Sequence, residues 1–285
     1  MFNPRISLLI GVIAISIFPV LVKWAPVSGI SSAFYRMAIA VVFLLPYVLF
    51  KKQLQKPEGS LWLPIFICGI LFGSDIAIWN LSIHYSNATQ ATLLTNLSPV
   101  WVGIGSAIFL NDRPARQFWI GTIVALAGMV ILMGLDTFTR MQFDKGFLMA
   151  VTSGLLYASY MIVSKRVLNR INIVSFMTYS MAISSVYLLI ICLLTQQPLW
   201  HFTPTIWGVL SIQGLICQLL GWLTISYAVQ KLDAQRVSLS LLSQSIVTGL
   251  LAWIFIHEKV SFQMIVGGII ILIGIGITFM KKKVS

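Results

Sequence analysis

Apolar positions come in ten long runs separated by short polar connections. The runs cover about 6–24, 30–50, 61–82, 88–110, 115–134, 146–164, 173–195, 205–229, 234–256 and 261–280. A bilayer-spanning helix needs roughly 20 mostly apolar residues, so each run predicts one transmembrane helix and nothing is left for a soluble domain. The fold class expected is an all-α integral membrane protein with ten transmembrane helices. The first run follows Arg5 and has the outline of a secretion signal. It lacks a small-x-small cleavage site and nine more spans follow, which predicts a retained helix 1.

A repeat organises these runs. Asn87–Gly128 returns 146 positions later as Asp233–Gly274, without gaps and with ten identities in 42 positions. The matches include Ala88 with Ala234, Gly103 with Gly249, Gln117 with Gln263, Gly121 with Gly267 and Gly128 with Gly274. Asp112 and Glu258 also coincide, each followed by a base. The expected organisation is two related five-helix units, 1–135 and 146–285, joined by the polar segment Leu135–Lys145. Five is odd, so the second unit enters the membrane from the opposite side and the repeats are inverted. Inverted repeats give a solute two mirror-related routes to one midplane site, which points to transport by alternating access.

Charge sets the orientation. With a cytoplasmic N-terminus, fourteen of the nineteen Lys and Arg fall on inside segments, and Lys23, Arg140, Lys145 and Lys259 fall outside. The positive-inside rule then places both termini in the cytoplasm, in a cytoplasmic or inner membrane. The net charge of +12 reads as topology and contact with lipid headgroups, and no nucleic-acid partner is expected. Composition agrees: 58% hydrophobic, 9% charged, mean hydropathy +0.94. Cys68, Cys192 and Cys217 lie inside apolar runs, which argues against disulfides and metal ligation. His84, His201 and His257 lie at helix ends, and there is no HExxH, no Gly-x-Ser-x-Gly and no GxxxxGK phosphate loop. No enzyme activity, cofactor or ATP is expected.

Candidate chemistry lies where polar groups interrupt the runs. A guanidinium in hydrocarbon costs at least ~2.5 kcal/mol on insertion scales, so Arg36 must face the bundle interior. Arg36 is 14 residues from Phe50 and Asp75 is 13 from Trp62, roughly 20 Å above the same membrane face. The pair Arg36–Asp75 is therefore expected, with Asp75 the deep carboxylate able to carry protons. Trp79, Asn80 and Ser82 follow Asp75, an arrangement suited to an ammonium or aromatic metabolite. Gly69, Gly73 and Ala77 form a packing stripe. Pro99 removes a backbone donor and frees a carbonyl near Thr95, so helix 4 is expected to bend, with Asn96 lining a cavity. One face carries Thr92, Asn96, Pro99 and Gly103; its counterpart carries Ser238, Leu242, Ser245 and Gly249, and the two are expected to meet. The second half adds Tyr157, Gln218, Trp222 and Gln244. Asp112 and Glu258 are expected to cap helices 5 and 10.

Three stretches carry a family resemblance: SSAFYRMAIAVVFLLP around Arg36, IAIWNLSIHYSNATQATLLTNLSPVWVGI, and FLNDRPARQFWIGTIVALAG. The last two return as YAVQKLDAQRVSLSLLSQSIVTGLLAWIFIHEKVSFQMIVGGIIILIG. Over its whole length the chain resembles drug/metabolite transporters of the EamA type. The resemblance implies a bundle of two five-helix inverted repeats that exports amino acids, related metabolites or drugs without ATP. Asp112 stands where that family usually has Glu. Ser245 stands where a proline is common, which removes the reason to expect a bend in helix 9. Two other readings stay open: transport of nucleotide sugars or lipid-linked sugars, which wants several deep bases, and a non-transporting receptor or scaffold.

Overall fold

The computed structural model describes residues 3–24, 27–85, 88–134, 143–257 and 259–280. Among the described residues, ten helices are long and apolar enough to cross a membrane: α1 Pro4–Val22, α2 Gly29–Phe50, α3 Gly59–Ile83, α4 Gln90–Phe109, α5 Arg116–Met133, α6 Lys145–Leu168, α7 Ile173–Leu194, α8 Pro204–Lys231, α9 Ala234–Ile256 and α10 Phe262–Phe279. Most of the connection between the halves, 135–142, lies outside the described residues. The Arg5 guanidinium lies 5.3 Å from the centre of the Phe279 ring, so the first and last helices end on one face, the terminal face.

Four helices are interrupted. In α1 a helix over Pro4–Ser16 gives way at Ile17 to a short one, Phe18–Trp24, because Pro19 has no N–H for the preceding turn. In α4 the break falls at Asn96–Leu97, between Ala88–Thr95 and Ser98–Phe109, in the turn just before Pro99, which has no N–H to give to Thr95 O. In α8 a wider π-helical stretch covers Gln213–Leu220. In α9 the helix tightens over Leu241–Ser243. The repeat offset of 146 carries Asn96 onto Leu242, so α4 and α9 are interrupted at equivalent places.

The α9 interruption corrects the expectation drawn from the missing proline. Three serine hydroxyls there bond back along the helix: Ser238 to Gln235 O at 2.9 Å, Ser240 to Arg236 O at 2.8 Å and Ser243 to Ser240 O at 2.6 Å. Such bonds compete with the main-chain ladder and bend a helix. Thr152, Ser159 and Thr178 make the same bonds in helices that run on uninterrupted, so the serine bonds accompany the α9 interruption without accounting for it alone.

Glycine contacts set the helix packing. A Cβ on Gly121 would lie 2.4 Å from Gly274 O, and one on Gly128 would lie 2.8 Å from Gly267 O. The repeat exchanges these two contacts, and they hold α5 and α10 backbone to backbone, as small residues do in membranes. Gly69 and Gly73 pack on Ile183 and Tyr187 of α7, and Ser184 donates to Gly69 O at 2.7 Å. More widely, α3 packs on α6 while α8 packs on α1, and α7 packs on both α2 and α3. The three cysteines are free and buried. Trp24, Trp62, Trp200 and Trp207 are exposed near span ends.

Candidate functional site

A cavity of about 200 Å³ lies at mid-depth between α1, α2, α3, α4, α6, α8 and α9. Every interrupted helix contributes to it at its interruption: Phe18 from α1, Thr95 and Asn96 from α4, Cys217 from α8, and Leu241 and Gln244 from α9. Irregular backbone inside a membrane protein is tolerated where it lines a cavity or is covered by protein, and these breaks obey that rule.

Arg36 and Asp75 both line the cavity, but they do not form the expected pair. Arg36 Nη2 donates to Gln218 Oε1 at 2.9 Å, and the guanidinium lies over the Phe18 ring, 4.3 Å from its centre. Its Nε is buried without a hydrogen-bond partner among the described residues. Asp75 Oδ1 accepts from Ser153 Oγ at 2.5 Å, and Ser153 Oγ is 3.4 Å from Thr95 Oγ1. Arg36 and Asp75 reach the same cavity, but their lateral positions keep them unpaired. α2 and α3 are consecutive in the chain, yet α7 packs extensively on both, which leaves Arg36 beside α8 and Asp75 beside α6. The cavity thus holds one acid and one base, each without an opposite charge in contact among the described residues.

Aromatic rings close one side. Phe72 stacks on Tyr160 at 4.8 Å and meets Trp222 edge-on at 4.6 Å; Tyr157 approaches Trp222 at 6.2 Å. Trp79, Tyr157 and Trp222 face the cavity beside Asp75 and Arg36. The electron-rich ring faces attract cations and the ring bodies bury apolar surface, so the lining suits a small solute with an ammonium and an apolar part.

Seven of the ten candidate residues line the cavity: Arg36, Asp75, Trp79, Asn96, Tyr157, Trp222 and Gln244. Three do not. Asn80 is one residue past Trp79, about 100° round the helix; its amide donates to Ile76 O at 2.8 Å and it packs against Gly29. Pro99 is buried and shapes α4 without facing the void. Gln218 is fully buried and acts through Arg36. Ser82 likewise turns inward, bonding to Trp79 O at 2.7 Å. The two small faces meet in part: Asn96, Ser238 and Leu242 line the same cavity and the start of α9 packs on Ser98–Phe109, whereas Gly103 packs on Phe118 and Trp119 of α5, and Gly249 on Met264 of α10. Phe18 and Ser153 were not anticipated. Ser153 precedes Tyr157 by four residues, so helical spacing from Tyr157 was the signal that pointed to it.

At the terminal face the ends of α6 and α8 are tied together within the second unit. Lys165 Nζ donates to Val229 O, Gln230 O and Leu232 O at 2.8, 3.0 and 2.8 Å, a cation on the last carbonyls of α8. Gln230 Nε2 donates back to Leu168 O at 2.5 Å. Asp112 does not cap α5, whose first turn is preceded by Ala115 with no side-chain cap. Desolvation, and then the nearby Asp233 carboxylate, push the Asp112 carboxyl above its ordinary value, against Lys165, Arg236 and Gln235. Glu258 lies outside the described residues; at α10 the cap is Ser261, which accepts from Met264 N at 3.2 Å.

The model of the EamA-like transporter family matches twice, over residues 5–134 and 144–280. This chain belongs to the EamA-like transporter family. An uncharacterized transporter of Archaeoglobus fulgidus is 26% identical over 256 residues, 88% of this chain and 87% of its own. A protein of Rickettsia bellii named as an S-adenosylmethionine uptake transporter is 22% identical over 242 residues, 84% of this chain and 80% of its own. A solved crystal structure superimposes with a TM-score of 0.81 at 17% identity, covering 96% of this chain and 97% of that one, which establishes the shared fold. This EamA-like protein is therefore a multi-pass membrane transporter of small solutes.

Proposed function

We propose that this EamA-like protein is a secondary transporter of the cytoplasmic membrane that moves small amphiphilic metabolites by alternating access. The observation that carries the reading is the mid-depth cavity, where Asp75 and Arg36 face a void among aromatic rings without neutralising each other. A buried charge left without a partner is costly, and a solute carrying an amine, or an amine and a carboxylate, offsets that cost. The two units 1–135 and 146–285 act as inverted halves. The equivalent breaks in α4 and α9 and the exchanged glycine contacts of α5 and α10 support this.

Ligand pockets for drug-sized molecules run to about 300–1,000 Å³. A cavity of about 200 Å³ favours solutes of amino-acid size in this conformation. Export is the direction that the EamA resemblance implies, whereas the Rickettsia relative is named for uptake. Asp75 is the group that takes up a proton when no amine is bound. The bases of the terminal face, from Arg5 to Arg236, support a cytoplasmic location for that face. Nucleotide sugars are disfavoured, because Arg36 is the lone base lining the cavity among the described residues.

Purified protein reconstituted into proteoliposomes is expected to catalyse saturable counterflow of at least one radiolabelled amino acid from a panel covering neutral, aromatic and cationic types. Absence of flux in both directions for the whole panel, from protein that remains folded, supports the receptor or scaffold reading instead.

A further inference from the structure

A second polar site lies on the terminal face, away from the transport cavity. It is a cavity of about 420 Å³ between the starts of α1, α5 and α9 and the end of α10. Arg5, Arg113 and Arg236 line it together with Asp112, Asp233 and Gln235. Arg236 is engaged by Asp233, Nε to Oδ2 at 3.0 Å. Arg5 and Arg113 have no carboxylate partner among the described residues. Arg5 and Arg236 lie over the same Phe279 ring, at 5.3 and 5.9 Å from its centre. Gln235 is buried and its Oε1 has no hydrogen-bond partner among the described residues. The cavity therefore offers guanidinium groups for an oxyanion and an unused acceptor for an N–H donor.

An apolar groove of about 190 Å³ continues from it. The two share Arg5 and Phe279, and the groove runs along Leu8, Leu9 and Val12 of α1 against Ser240 and Ser243 of α9. Leu9 is 57% exposed at its edge. A charged chamber at the membrane boundary that opens into an apolar channel beside the spans matches a molecule with a charged head and a long hydrocarbon tail. Free phosphate fills the chamber and leaves the groove empty; a bilayer lipid fills both. Cationic side chains near a membrane surface each contribute about 1 kcal/mol to holding such headgroups.

We propose that the chamber and groove hold one membrane glycerophospholipid, its phosphate on Arg5, Arg113 and Arg236, its amine facing Gln235 Oε1, and one acyl chain along Leu8, Leu9 and Val12. Phosphatidylethanolamine fits, because its ammonium donates N–H bonds. Phosphatidylcholine has no N–H to give. The site joins α1 to the α4–α5 connection and the start of α9, so the lipid bridges the two halves.

Native mass spectrometry of the full chain, purified in a detergent without phosphate and supplied with phosphatidylethanolamine, phosphatidylcholine or inorganic phosphate, tests this. One phosphatidylethanolamine is expected to survive activation that strips other lipids, with phosphatidylcholine retained less and excess inorganic phosphate unable to displace it. The double variant Arg5→Gln, Arg113→Gln is expected to lower retention about tenfold. Leu9→Trp, which obstructs the groove from an exposed position, is expected to do the same. Both variants should elute as the wild type does and melt at the same temperature without lipid; if the arginine variant does not fold, Leu9→Trp decides. Unchanged retention in the folded variants, equal retention of phosphatidylcholine, or release by inorganic phosphate overturns the assignment.

Discussion

Asp75→Asn is expected to abolish proton-driven accumulation of solute in proteoliposomes while leaving the fold intact. Asp75 receives one hydrogen bond, from Ser153, and touches no cation among the described residues. The asparagine keeps the volume and the contact with Ser153 but can neither carry a proton nor balance an ammonium. A hydrogen bond to a charged group is worth about 1.5–3 kcal/mol, a fall of about 10- to 150-fold in the occupancy of an amine-bearing solute. The thermal midpoint should equal or exceed that of the wild type, because no basic residue loses its counter-ion. Equal proton-driven flux from wild type and variant removes Asp75 from coupling. A lower midpoint together with lost flux assigns it to the scaffold.

Gly274→Ala is expected to destabilise the protein by about 1–3 kcal/mol, the usual cost of overpacking, and Gly274→Leu to prevent accumulation of folded protein. The added Cβ at 274 meets Ala125 N at 2.5 Å and Gly121 O at 2.6 Å. Both are backbone atoms on a neighbouring helix and have no rotamer through which to yield. Gly276, two residues on, has nothing within 4 Å of its Cβ position. Gly276→Ala should be neutral or stabilising by about 0.5–1 kcal/mol, since alanine is the better helix former. Thermal unfolding in detergent gives both values. Equal losses at the two positions show that helix propensity, and not the α5–α10 contact, governs the seam.

The ten helices could be read from the chain because lipid imposes one criterion on every span, and hydropathy meets that criterion residue by residue. The glycines of the repeat were legible for a similar reason: small residues matter in membranes where backbones touch, and Gly121, Gly128, Gly267 and Gly274 do touch. Depth was legible as well, since a fixed rise per residue puts Arg36 and Asp75 at one level. Lateral arrangement was not. α2 and α3 touch, yet α7 packs more extensively on each, and Arg36 turns to Gln218 of α8 while Asp75 turns to Ser153 of α6; no spacing along α2 or α3 encodes this. Rotation about a helix axis was only half legible: Trp79 faces the cavity, whereas Asn80, one step further, packs on Gly29. The α9 interruption was not legible because Ser238, Ser240 and Ser243 make bonds that other helices of the chain make without breaking, whereas Pro99 removes a backbone donor outright.

The alternating access proposed for this protein makes use of those interruptions. α1, α4, α8 and α9 each break beside the void, so a small rotation of one unit against the other can turn about these points without breaking intact main-chain ladders.

The most direct measurement is labelling of a single cysteine at Leu241→Cys, in the α9 interruption, with Cys68, Cys192 and Cys217 replaced. Oriented vesicles are exposed on one side at a time to a membrane-impermeant maleimide. Alternating access predicts labelling from each face, with a saturating solute shifting the ratio between the two. Labelling confined to one face under all conditions, or none from either, contradicts a cavity that opens by turns to the two sides.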